Sequence, residues 1–192
     1  QQAKVQGQLN GLDGEICRVA YLGLKGSYSY LATQKYFTRR AEKLIEIGCN
    51  NFNEIVKAVE TGHADYAVLP IENTSSGSIN EVYDLLQQTR LSIIGELTQP
   101  VAHCLLGLPG TDLRNIRKIC SHPQVIAQCS YYLQGLTNVQ IEYCASSSDA
   151  LNKVKEAQDP TLVALGSQEG GKIYGLDVLA RELTNQKDNM TR

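Results

Sequence analysis

Asp65-Tyr66-Ala67-Val68-Leu69-Pro70-Ile71-Glu72-Asn73-Thr74-Ser75-Ser76-Gly77-Ser78 sets out the basic unit of the chain. Asp65 to Leu69 is a short apolar run with strand character, and Pro70 closes it because proline brings no N–H to a ladder. Glu72-Asn73 makes a turn at the strand's carboxyl end. Ser78 then opens a helix: Glu81 lies three residues on in a capping-box pattern, and Ile79, Val82, Leu85 and Leu86 supply the buried stripe. A strand passing through a polar turn into a helix is half of a βαβ unit, and such turns are where α/β proteins meet ligands.

The same grammar extends in both directions. Upstream, Ile16 to Leu22 reads as a strand, Gly23-Leu24-Lys25-Gly26-Ser27 as a turn, and Tyr28, Leu31, Ala32 and Lys35-Tyr36 as helically spaced. Lys43 to Ile47 is a second strand. Phe52 to Glu60 is a helix with Phe52, Ile55, Val56 and Val59 on one face, stopped by Thr61-Gly62. Downstream, Leu91 to Thr98 and Val101 to Leu106 are extended runs with no helix between them. A strand at Ile116 to Cys120, a helix from Pro123 to Leu133, a strand at Val139 to Tyr143, a helix at Asp149 to Ala157 and a strand at Leu162 to Leu165 follow. A short Ser167-capped helix and an irregular tail complete the chain. This alternation predicts an α/β fold with parallel βαβ units covered by helices on both faces. The paired extended runs suit a crossing between two lobes. The expected division is a linker over 1–15, one lobe from 16–97 plus 164–192, and a second from 98–163, with ligand bound in the interlobe cleft.

Composition narrows the function. Of 192 residues, 42% are hydrophobic and 20% charged, with a net charge of −2, which gives nucleic acid or an anionic membrane no electrostatic hold. No apolar run approaches the roughly 20 residues that span a bilayer, and Gln1-Gln2-Ala3-Lys4 lacks the apolar core of a secretory signal. A cytoplasmic protein is expected. The chain starts without methionine and stops at Thr191-Arg192, so it reads as a piece of a longer polypeptide. Cys17, Cys49, Cys104, Cys120, Cys129 and Cys144 are scattered, without a C-x-x-C pair or a histidine repeat. They read as reduced structural thiols, with no metal.

Four helix starts carry hydroxyl-rich turns after strands: Gly26-Ser27, Thr74-Ser75-Ser76-Gly77-Ser78, Ser121 and Ser146-Ser147-Ser148. Each suits an ordinary N-cap. Together they point to a small anionic ligand at backbone N–H groups. Glu72-Asn73 fits either an Asx-type turn or a ligand contact. Gly77 fits a position that excludes a side chain. Ser121-His122-Pro123-Gln124 matches an S-x-x-Q capping pattern, and Gln124 and Gln128 share a helix face. His122 is either a partly exposed turn residue or a general acid; His103, in an apolar run, reads as a packed, hydrogen-bonded histidine. There is no nucleophile elbow, P-loop or metal triad. The residues by themselves indicate a two-lobed α/β protein that binds a small carboxylate.

Specific segments carry a resemblance. Tyr21-Leu22-Gly23-Leu24-Lys25-Gly26-Ser27-Tyr28-Ser29, Asp65 to Gly77, Ser121-His122-Pro123-Gln124 through Gln128-Cys129, Tyr174-Gly175-Leu176 and Asn189-Met190-Thr191-Arg192 are similar, in this order, to the prephenate dehydratase family. The likeness is greatest to members joined to a chorismate mutase upstream and a phenylalanine-binding regulatory domain downstream. It implies a fold like the two-lobed (type II) periplasmic binding proteins, a homodimer, no cofactor, and prephenate as substrate on the way to phenylalanine. It also implies Thr191 as the essential hydroxyl, with Glu72, Asn73, Ser121, Gln128 and Arg192 nearby. On that reading Thr191, Glu72 and Gln128 are catalytic. Asn73 and Ser121 bind substrate, and the helix starts at Ser27, Ser78 and Ser121, with Arg192 and Lys25, hold its carboxylates. Without the regulatory domain, no response to phenylalanine is expected. Leu24 stands where the family has proline, Gly170-Gly171 replace a pair that commonly contains alanine and are expected to loosen their helix, and the phenylalanine that follows Thr-Arg in the family is absent. Arogenate dehydratase and a non-catalytic carboxylate-binding module are the competing readings.

Overall fold

A computed structural model of the chain describes residues 2–3, 16–40 and 43–192. The linker expected over 1–15 lies outside these residues, apart from a short strand, β1 (Gln2–Ala3). The chain forms two compact units: the first takes the described residues through Leu24, then Ser29–Gln99 and Met190–Arg192, and the second takes Lys25–Tyr28 and Pro100–Asn189.

The first unit opens with β2 (Ile16–Leu22), α1 (Tyr28–Phe37), β3 (Lys43–Cys49), α2 (Phe52–Glu60) and β4 (Tyr66–Ala67). Their strands lie in the order β1-β4-β2-β3, with β3 and β4 parallel to β2 and β1 antiparallel to β4. β2 is apolar on both faces because both are covered, as expected for the centre of a parallel sheet. Cys17, Val19 and Tyr21 pack with Ala32 and Phe37 of α1. On the opposite face, Ala20 shares a core with Ile55, Val56 and Val59 of α2. Helix α2 is capped at its start and ends at the expected stop. Asn51 Oδ1 accepts from Glu54 N at 2.8 Å, Glu54 Oε2 accepts from Asn50 N at 2.8 Å, and Gly62 follows at φ +83°.

After Pro70 the chain makes β5 (Glu72–Asn73), β6 (Gly77–Ser78) and α3 (Asn80–Gln88). Ser78 is therefore in a strand and not at a helix start. Ile79 occupies the N-cap without a side-chain bond, so the expected Ser78–Glu81 capping box does not form. The pairing of Glu72 with Ser78 across the hairpin holds this serine in extended backbone. Gly77 sits at φ +79°, and a Cβ at this position would meet nothing within 4 Å, so conformation and not crowding selects glycine.

The chain then crosses through β7 (Gln99–Pro100) into β8 (Cys104–Gly107), β9 (Lys118–Ser121), α4 (Pro123–Gln128), α5 (Ser130–Gln134), β10 (Gln140–Tyr143), α6 (Ser147–Ala157), β11 (Leu162–Gly166), α7 (Gln168–Ile173) and β12 (Asp177–Ala180), and ends with β13 (Met190–Thr191). The second unit's sheet has the order β10-β9-β11-β8-β12. β9 is parallel to β10 and β11, and β8 is antiparallel to β11 and β12. One face packs Leu106, Cys120 and Ala164 on Leu151 and Val154 of α6; the other packs Leu105, Ile119, Val163 and Leu165 on Val125 and Cys129. The mixed α/β class agrees with the sequence reading.

Two boundaries differ from expectation. The chain rejoins the first unit at Met190 and not at 164, because Leu162–Gly166 fills the centre of the second sheet between β9 and β8, with every residue buried. The single helix expected over 123–133 is broken at Cys129 (φ −113°, ψ 17°). Asn185 supplies the reason: its backbone N–H donates to Gln128 O at 2.7 Å and its Nδ2 to Ala127 O at 3.2 Å and Ser130 Oγ at 2.8 Å, taking carbonyls that a continuous helix would use.

Candidate active site

The first unit gathers four of the anticipated residues around one strand pair. β13 runs antiparallel to β5 with Thr191 opposite Asn73. Asn73, 9% exposed, has its carbonyl occupied: Oδ1 accepts from Ser75 N at 2.9 Å, Ser75 Oγ at 2.6 Å and Ser76 N at 3.2 Å. This Asx-type turn fixes which end of the amide faces the strand. Its Nδ2 consequently donates to Thr191 Oγ1 at 2.8 Å and to Met190 O at 3.1 Å. Thr191 Oγ1 is thus an acceptor toward Asn73, and its own hydrogen remains to be donated. Among the described residues no side chain accepts it. Backbone bonds hold the pair in register, including Arg192 N to Glu72 O at 2.9 Å and Thr74 N to Met190 O at 2.9 Å.

Arg192 completes the cluster. Its Nη2 lies 2.9 Å from Glu72 Oε1 and its Nη1 3.5 Å from Glu96 Oε2. Its Nε is buried without a partner among the described residues, which leaves that edge of the guanidinium to meet an added acceptor. Ser78 is exposed in β6, opposite Glu72. The sequence gives no sign of Glu96, which stands in an extended run with no motif around it.

The second unit holds a separate polar cluster. His103 is 1% exposed. Its Nδ1 lies 2.8 Å from Tyr28 Oη and its Nε2 2.6 Å from Gln128 Oε1. Gln128 Oε1 can only accept, so Nε2 carries the hydrogen and Nδ1 accepts from Tyr28. Burial pushes the His103 pKa down, with the Gln128 bond opposing it. Burial also pushes the Tyr28 phenol well up, so it stays a protonated donor. The neutral ring therefore ties Gln128 to the segment that carries Lys25 and Ser27. Tyr174 Oη donates to Lys25 O at 2.5 Å and helps hold that segment. Ser27 is buried and Lys25 exposed.

Ser121 lies fully buried at the end of β9, and its Oγ donates to His122 O at 3.0 Å. The cap of α4 is instead His122, whose Nδ1 accepts from Gln124 N at 3.0 Å. The S-x-x-Q pattern is replaced because a half-buried, neutral imidazole next to Pro123 makes the same bond; burial lowers its pKa. Ser146 does cap α6, accepting from Asp149 N at 3.1 Å, and Ser167 caps α7, accepting from Gly170 N at 2.8 Å. Asn189, 3% exposed, has both amide atoms without a partner among the described residues. A buried polar group left so costs about 1–3 kcal/mol, which marks Asn189 as a further candidate for ligand contact.

Two links escape the sequence reading. His103 and Gln128 are 25 residues apart, and His103 and Tyr28 are 75 apart. The signal is the histidine within an apolar run, which requires a partner somewhere.

Residues 19–192 match the family model described as prephenate dehydratase. The chain is 53% identical over 192 residues to the bifunctional chorismate mutase/prephenate dehydratase of Escherichia coli (strain K12) and 52% identical to that of Enterobacter agglomerans. Each alignment covers all of this chain and 50% of the relative, so the chain spans about half the length of the curated relatives it matches. Among solved structures, prephenate dehydratase from Arthrobacter aurescens, in complex with L-Phe, superimposes with a TM-score of 0.79 at 26% identity, covering 91% of this chain and 58% of that one. With a family model matched along nearly its whole length, this chain belongs to the prephenate dehydratase family.

Proposed function

We propose that this chain converts prephenate to phenylpyruvate by decarboxylative dehydration, with Thr191 as the hydroxyl that meets the departing oxygen. The observation that carries the proposal is the Asn73–Thr191 hydrogen bond, which occupies the threonine oxygen and leaves its hydrogen to donate. In the reaction the bond to the ring carboxylate breaks and carbon dioxide leaves. Its electron pair enters the ring, the ring C–O bond breaks, and the oxygen departs as water after taking one proton. Aromatisation drives the sum, so the protein's task is to hold the substrate and assist the leaving oxygen. A threonine hydroxyl is a weak acid. It contributes chiefly by donating a hydrogen bond to developing charge, with the proton drawn ultimately from solvent.

Glu72 serves this step through Arg192, whose guanidinium it anchors; the unpartnered Nε of Arg192 is the group that receives a substrate carboxylate. Gln128 is proposed to act with its amide oriented by neutral His103. Ser121, Asn73, Ser27, Ser78 and Lys25 are proposed as substrate contacts. The chain is further proposed to act as a cytoplasmic homodimer without a cofactor. It is also proposed to belong to a polypeptide that carries chorismate mutase, a reading supported by the names of its relatives, and a phenylalanine-binding domain, supported by the neighbour solved in complex with L-Phe. Among the described residues no helix is long and apolar enough to cross a membrane. Sedimentation velocity of the purified chain tests the dimer, and calorimetry with phenylalanine is expected to give no binding.

The test of function is phenylpyruvate absorbance after adding prephenate, with arogenate run in parallel. Thr191→Ala should lower kcat at least ~100-fold with KM within a few-fold. Turnover near the parent level in that variant removes Thr191 from the mechanism. Binding of prephenate without any turnover in the parent chain would instead identify a carboxylate-binding module.

A further inference from the structure

The six cysteines are scattered in sequence, yet the second unit's sheet brings two of them together. Cys120 and Glu142 are register partners on the parallel strands β9 and β10, and Cys144 follows β10, its N–H donating to Ser121 O at 2.8 Å. We propose that Cys120, Glu142 and Cys144 form a binding site for a thiophilic divalent cation of the zinc class, with the fourth coordination position open to water.

Geometry is the first support. The two Sγ atoms and a carboxylate oxygen all lie within 4.8 Å of one another, and Cys120 Sγ is 3.4 Å from Glu142 Oε2. Zinc bonds of about 2.3 Å to sulfur and 2.0–2.2 Å to oxygen in a tetrahedron put ligand atoms roughly 3.5–3.8 Å apart. Small side-chain rotations close that gap. Donor chemistry is the second: two thiols and a carboxylate select a borderline-soft cation over calcium or magnesium. The third is that the carboxylate is already held from outside. Glu142 Oε1 faces Lys118 Nζ at 3.8 Å, an outer partner that would remain when Oε2 binds metal.

Lys153 is the competitor. Its Nζ lies 2.6 Å from Glu142 Oε2, the oxygen that faces Cys120. It comes from α6 with a half-exposed side chain, and beside it opens a pocket of about 600 Å³ lined by Tyr143, Cys144, Asp149 and Lys153. The ammonium can swing into that space, which also gives a cation its entry path and room for a bound water. Burial holds both thiols protonated at neutral pH, with Cys120 pushed up to about 12. Binding therefore releases protons.

Cobalt(II) is the probe, titrated into the purified chain under a phosphine reductant. A thiolate-to-cobalt charge-transfer band is expected at one metal per chain, displaced by zinc, with about two protons released per cation. Cys144→Ser and Glu142→Gln should each weaken binding at least ~10-fold, the lower bound for losing even an outer partner. Both positions are half-exposed, and melting curves without metal check that the variants fold. Lys153→Gln should bind more tightly than the parent, an effect that a merely structural lysine would not produce. Absence of the band in the parent chain overturns the proposal, as does its persistence at unchanged affinity in Cys144→Ser. No step depends on turnover, so this outcome is independent of the proposed activity.

Discussion

Asn73 shows how one side chain can set the chemistry of another. Donors from Ser75 and Ser76 fill its carbonyl, so its amide nitrogen faces β13, where it donates to Thr191 Oγ1 and Met190 O. Asn73→Asp keeps the size and the turn but puts an acceptor where the donor stood. The threonine should then donate inward to the carboxylate, and kcat should fall ~100-fold in the phenylpyruvate assay while the fold persists. His103 offers a second test. Burial lowers its pKa in the folded chain below the ordinary value of about 6.5, so between those two values only the unfolded chain takes the proton. Stability is therefore full above about pH 6.5 and declines as pH falls toward the folded pKa. Urea midpoints near pH 7.5 and pH 5 should differ less in His103→Gln than in the parent; His122, also lowered by burial, leaves part of the slope.

At the level of elements, serine at a strand end proves an ambiguous sign. Ser146 caps α6, whereas Ser78 lies in a hairpin strand and caps nothing. Ser146→Ala should cost about 1 kcal/mol in chemical denaturation, and Ser78→Ala should stay within about 0.5 kcal/mol. The glycine pair of α7, expected to loosen that helix, does the opposite. A methyl on Gly170 would lie 2.7 Å from Gly26 O, and one on Gly171 would lie 2.6 Å from Leu106 Cδ2. The missing side chains let α7 press against its neighbours, and Gly171→Val should destabilise by about 1–3 kcal/mol through overpacking. These contrasts explain what can be read from sequence. Phe52–Glu60 is legible to the residue because its apolar face and its Thr61-Gly62 stop agree. The hairpin of β5 and β6 is not, since two-residue strands carry no periodicity and β5 is also paired with β13, more than a hundred positions away. The resemblance proposes Thr191 and Asn73 as site residues; that they touch cannot be read from it.

For the whole molecule, the decisive feature is that the chain leaves the first unit near Gln99 and returns at Met190. Local alternation of strands and helices indicates an α/β fold correctly but locates the return too early, because β11 looks the same in sequence whichever sheet receives it. Only its neighbours β9 and β8 decide, and pairing across long separations has no local signature.

The bond from Asn73 to Thr191 spans 118 positions. Closing so wide a loop is entropically late, and contacts of this range dominate the slow end of folding. Secondary structure regained on dilution from denaturant should accordingly precede the Asn73–Thr191 contact and, with it, the proposed turnover, so the Thr191 hydroxyl is set in place only as the fold completes.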